Sequence, residues 1–351
     1  MAKPLKSNIL RSALFLITVM VSVSSMAVDA EWSLAEKLAV IVNANDPDSQ
    51  RIADYYQQKR NIPDENIIVI KFPSQQNIIS KVLFQKLYIQ VKEKTPEHVQ
   101  FYALAWSNVF RVGCMSITSA FALGYDEKYC AMGCKATAPS PYFNVTSRAP
   151  FDDLKIRPTM MLGGSSIDQV FAMIDRGVRS DEQSPDGTAY LLSTTDKARN
   201  TRAQLYAQTI ITLSEYIKIQ QVNANKLEDK DDVMFYFTGM KQVEKIDSNE
   251  FMDGAIADHL TSAGGVLFGK SQMSLLRWLD AGATASYGTV VEPCNFIQKF
   301  THPGVVIGFY IQGESLIEAY WKSVAWPGQG LFVGEPLASP YAKLPVKQEE
   351  I

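Results

Sequence analysis

The chain has 351 residues, 46% of them hydrophobic and 20% charged, and a formal net charge of -3. These values fit a globular protein and exclude a mainly disordered chain, a collagen, a coiled coil or a polytopic membrane protein. With 34 Lys+Arg against 37 Asp+Glu, the chain lacks the basic excess of a nucleic-acid binder, and no nucleic-acid partner is expected.

The first thirty residues read as an export signal. Lys3, Lys6 and Arg11 form a positive start, and Ala13 to Val23 is an apolar core too short to span a bilayer. Small residues follow, with cleavage expected near Ala27 or Ala30. No later stretch is long and apolar enough for membrane insertion, so a periplasmic or secreted protein is expected. Four cysteines suit that compartment: Cys114, Cys130, Cys134 and Cys294. The first three crowd one segment, so at least one disulfide is expected among them. A four-thiolate zinc site, using Cys130 and Cys134, is the sharper alternative.

Beyond the signal, apolar runs alternate with helical periodicity. Leu38 to Val42 reads as a buried strand, followed by Asp46 as N-cap and Pro47 as first helical residue. Ile67 to Ile70 is a second strand, and Ile79, Leu83, Leu87 and Val91 mark a helix face. Val99 to Trp106 is a third strand. Ser107 to Pro158 is irregular and holds the clustered cysteines. Thr159 to Leu162 and Ala189 to Ser193 read as strands, with a helix carrying Ile167, Val170, Ile174 and Val178 between them. Tyr206 to Ile217 reads as a helix, Val233 to Phe237 as a strand, and Met252, Ile256 and Leu260 as a further helix with His259 near its end. Gly264 to Phe268 reads as a strand, Ser271 as the cap of a helix closed by Gly282, and Thr284 to Val291 as the next strand. A last helix carries Ile317, Tyr320, Trp321 and Val324. This alternation predicts an α/β protein with mostly parallel sheets. A first subdomain is expected over 31–158, a second over 159–341, and a frayed tail over 342–351.

Ligands of parallel α/β sheets sit beyond the C-terminal strand ends. That rule selects Asp46, Trp106, Arg111, Asp196, Arg199, Arg202, Glu292 and Asn295 as a candidate polar cleft. Arg199 and Arg202 stand out, because two guanidiniums at a helix start oppose its macrodipole. A salt-bridge network or an anionic ligand would account for them. No metal motif, phosphate loop or G-x-S-x-G elbow is present, and no cofactor is expected. Cys294 lies just past a strand beside Glu292 and Asn295, where a thiol nucleophile, a disulfide half or an inert thiol could stand.

The stretches VIVNANDPDSQRIADYYQQKRNIP, ALAWSNVFRVGCMSITSAFALGYD, LLSTTDKARNTRA, GATASYGTVVEPCN and EAYWKSVAWPGQGLFVGEPLASPY resemble an uncharacterised family of exported bacterial proteins. More remotely, the order of elements is similar to gingipain-type, caspase-like cysteine peptidases. That resemblance implies two Rossmann-like parallel-sheet layers, the second carrying the chemistry. It places the peptidase His after VMFYFTG and the Cys after GGVLFG. This chain reads Thr238-Gly239-Met240 and Gly269-Lys270-Ser271 there, with neither imidazole nor thiol. The resulting expectation is a degenerate, non-cleaving homologue that binds a peptide, glycan or anionic ligand. A hydrolase pairing Cys294 with His259 and an envelope structural or assembly factor are the alternatives.

Overall fold

A computed structural model of the chain describes residues 33–342. The expected signal segment and nearly all of the expected tail lie outside the described residues. The strands are β1 (Leu38–Asn43), β2 (Ile67–Ile70), β3 (Ile78–Ile79), β4 (Phe101–Leu104), β5 (Arg111–Val112), β6 (Met115–Ser116), β7 (Thr159–Met161), β8 (Thr188–Leu192), β9 (Lys218–Val222), β10 (Val233–Thr238), β11 (Phe251–His259), β12 (Ala285–Thr289) and β13 (Gly330–Gly334). The α-helices are α1 (Pro47–Arg60), α2 (Lys81–Lys94), α3 (Ile117–Leu123), α4 (Pro150–Leu154), α5 (Ile167–Ser180), α6 (Tyr206–Leu213), α7 (Leu276–Asp280), α8 (Pro303–Ile311) and α9 (Leu316–Lys322).

Ten strands form one mostly parallel sheet in the order β2-β1-β4-β7-β13-β12-β11-β10-β8-β9, flanked by helices. The fold is therefore α/β, as the alternation predicts. The two expected layers join edge to edge: β4 pairs with β7 across the expected boundary at 158/159, and β13 links β7 to β12. β13 runs antiparallel to β12, with Ala285 opposite Gly334 and Thr289 opposite Gly330. A separate small sheet joins β3, β5 and β6.

Continuous apolar runs become strands covered on both faces, which is why β1, β4 and β10 are buried at every position. α1 starts as its sequence dictates: Asp46 accepts from the Asp48 amide at 3.1 Å and Pro47 opens the first turn. Beyond the apolar core, a buried polar group ties helix to sheet. Arg60 at the end of α1 pairs with Glu335 and Asp181, and Tyr56 donates to Glu335 at 2.6 Å.

Three sequence expectations fail here. Met252 to Leu260 is not a helix; it is the long strand β11, so His259 ends a strand. Gly264 to Phe268 is a turn-rich connection rather than a strand. α7 starts at Leu276, where Ser274 Oγ accepts from the Leu276 amide at 3.2 Å, so Ser271 caps nothing. β9, β13 and α8 were not anticipated, nor was α3 within the segment read as irregular.

All four cysteines are bonded, as Cys114–Cys130 and Cys134–Cys294. The bridge expected within the 114–134 cluster is present. No sulfur remains as a thiolate for the alternative zinc site. Among the described residues, no helix is long and apolar enough to cross a membrane.

Candidate functional site

Two contacts fix the polarity of the sheet. Arg111, beyond β4, donates from Nη1 to the carbonyl of Val290, beyond β12, at 3.5 Å. At the opposite side, Arg60 at the C-terminus of α1 meets Glu335, whose amide donates to Thr284 just before β12. The C-terminal ends of both parallel blocks therefore share one edge, where ligands of such sheets bind.

On that edge a depression of about 290 Å³ is lined by Ala198, Arg199, Leu260, Thr261, Ser262, Glu292, Cys294, Asn295 and Phe300. It collects residues following β8, β11 and β12. Arg199 donates from Nη1 to Asp196 at 2.9 Å and from Nε to Thr261 Oγ1 at 3.0 Å. Thr261 in turn donates to Gln272 Oε1 at 2.7 Å. Across the depression, Glu292 Oε1 accepts from the Ser262 hydroxyl at 3.0 Å and from the Cys294 amide at 2.8 Å. Each charge is thus held in place with donor or acceptor capacity left over, since a guanidinium has five N–H groups and a carboxylate about four acceptor sites. A fixed cation and a fixed anion around one small depression suit a dipolar, hydrogen-bonding ligand.

The remaining residues selected from the sequence fall elsewhere. Asp46 and Trp106 line a second depression, about 190 Å³, at the starts of α1 and α5. Trp106 is buried and donates from Nε1 to the Val109 carbonyl at 3.0 Å. Arg111 lines a third, of about 660 Å³. Arg202 is in the core: it is 1% exposed, ion-paired with Asp258, and donates to the carbonyls of Thr238 (2.7 Å) and Asp258 (3.2 Å). Its expected ligand role gives way to this buried network, which also takes in Thr301 and Tyr320 through Asp258. The structure therefore unites Asp196, Arg199, Glu292 and Asn295, and separates the other four.

Neither member of the candidate Cys294–His259 pair has the chemistry required of it. Cys294 is bonded to Cys134 and carries no thiol. His259 is 1% exposed, with Nδ1 accepting from Trp278 Nε1 at 3.0 Å and Nε2 against the Met273 carbonyl at 3.1 Å. Both ring nitrogens are engaged, which selects the neutral tautomer protonated on Nε2. Burial pushes its pKa down to about 3, with the nearby Arg202 and Arg199 adding to the effect and the Met273 carbonyl opposing it.

With β11 recognised as a strand, the residues beyond the strand pair become Thr238-Gly239-Met240 and Leu260-Thr261-Ser262. Gly239 is there for space: a Cβ on it would lie 2.0 Å from the Arg199 carbonyl oxygen. Thr261 and Ser262 escaped the sequence reading because β11 was taken for a helix. The strand-end rule would have selected Thr261 and Ser262 had the strand been recognised.

No family model matches the chain, and no curated protein matches it. Among solved structures it is similar to one described as "Structure of Protease", at 11% identity and a TM-score of 0.44, over 90% of this chain and 80% of that one.

Proposed function

We propose that the protein is an exported, non-cleaving ligand-binding protein on a peptidase-like α/β scaffold. Its ligand is a peptide-like chain held at the depression between Arg199 and Glu292. One observation carries this reading. At the strand ends where a thiol–imidazole pair would stand, the chain presents Thr238-Gly239 and Thr261-Ser262, while Cys294 is bonded to Cys134 and His259 is locked in the core. Nucleophilic catalysis needs an activated group and a base within hydrogen-bond reach. The Ser262 hydroxyl donates to Glu292 at 3.0 Å, and both groups keep hydrogen-bonding capacity for a ligand.

The order of elements and the motifs quoted above support the scaffold. Two disulfides fit an oxidising compartment. The test is calorimetric titration of the oxidised protein with a library of short peptides, beside Arg199→Ala and Glu292→Gln. Saturable binding that both substitutions weaken supports the reading. Binding that ignores both, or none across the library, contradicts it.

A further inference from the structure

The largest of the three depressions is unaccounted for by that function. It measures about 660 Å³, within the range that holds a drug-sized ligand. Its cations are Lys81, Arg111, Lys128 and Lys135, against a single lining carboxylate, Glu127. Lys81 pairs with Glu127, and Lys128 with Asp126 at 3.1 Å. Among the described residues, neither Arg111 nor Lys135 has a carboxylate partner. Arg111 makes one long bond, to Val290, and its Nε has no acceptor at all. Two uncompensated cations facing one cavity, on a chain with more acids than bases, call for an anion.

The floor between these cations is apolar: the Cys114–Cys130 bridge, Ala131, Tyr125 and the exposed side chain of Met132. The rim is rigid. Lys299 Nζ donates to the Lys135 carbonyl at 2.8 Å and to Gln329 Oε1 at 2.7 Å. The neighbouring Cys134 is bonded to Cys294. A rigid rim lowers the ordering cost of binding. β5, which carries Arg111, is paired on both sides, by β3 and β6, so β5 itself offers no open edge to a peptide main chain.

We propose that this depression is a second site, separate from that around Arg199, and that it binds an acidic saccharide. Arg111 and Lys135 contact the oxyanion, and Tyr125 and Met132 pack on the sugar face.

The test titrates the oxidised protein with a uronic-acid trisaccharide, a neutral trisaccharide and an acidic hexapeptide, at low and high salt. The acidic sugar should bind saturably and more weakly as salt rises, since screening weakens exposed charge contacts. The neutral sugar and the peptide should bind at least tenfold more weakly. Lys135→Ala, at an exposed position, and Arg111→Gln should each weaken acidic-sugar binding several-fold with the melting temperature little changed. Arg199→Ala should leave it unaltered, which keeps this result distinct from failure of the first site. Equal binding of the neutral sugar, tighter binding of the peptide, insensitivity to Lys135→Ala, or loss with Arg199→Ala overturns the proposal.

Discussion

The indole N–H of Trp278 donates to Nδ1 of His259 at 3.0 Å, deep between β11 and α7. This bond makes the histidine a core residue and gives it a pH signature. Its folded pKa of about 3 lies below the ordinary value of 6.5. The unfolded chain therefore binds the extra proton first as pH falls. The stability His259 contributes is complete above pH 6.5 and is lost as pH drops toward 3. Between pH 7 and pH 5, wild type should lose about 2 kcal/mol more than His259→Phe, read from urea unfolding. Equal losses would mean that the ring is accessible to protons.

Arg199 and Arg202 should separate cleanly on mutation. Arg202→Met leaves Asp258 as an unpaired buried charge and should cost about 3–5 kcal/mol. Arg199 is partly exposed, and Arg199→Ala should cost about 1 kcal/mol or less. Denaturant midpoints of the two variants measure this directly, and similar losses would contradict the placement of Arg202 in the core.

The Cys134–Cys294 bridge closes 160 residues and the Cys114–Cys130 bridge only 16. In the chain-entropy picture their removal costs about 5 and about 3 kcal/mol respectively. Paired serine variants should show that order in urea. Alkylation without reduction, followed by mass spectrometry, should label no cysteine and recover the two crosslinked peptides. Labelled thiols would refute the pairing.

Gly265 and Gly288 form a backbone contact that admits no side chain, since a Cβ on Gly265 would lie 2.3 Å from the Gly288 carbonyl oxygen. Gly265→Ala should lower stability by about 1–3 kcal/mol, as overpacking does. An unchanged melting temperature would show that the connection after β11 is looser than described.

These residues also show where sequence reading worked and where it stopped. Runs such as those of β1 and β10 are legible because a strand buried on both faces is apolar throughout. Asp46-Pro47 is legible because capping is local chemistry. β11 misled because Met252, Ile256 and Leu260 recur every four residues, a spacing that one helix face and one strand face share. Its buried Asp258 and His259 hid it further, since their partners, Arg202 and Trp278, are distant in sequence. β9 is a polar edge strand and carries little hydrophobic signal. At the site, strand ends after β8 and β12 were found and those after β11 were not. The Cys134–Cys294 pairing was invisible, because its two halves meet only in the finished fold.

The most direct measurement is peptide turnover. The oxidised protein is incubated with a diverse peptide library, and new termini are counted by mass spectrometry beside Ser262→Ala and Cys294→Ser with Cys134→Ser. A non-cleaving binder predicts no new termini above the buffer control for all three proteins. Termini produced by the wild type and lost in either variant would contradict it.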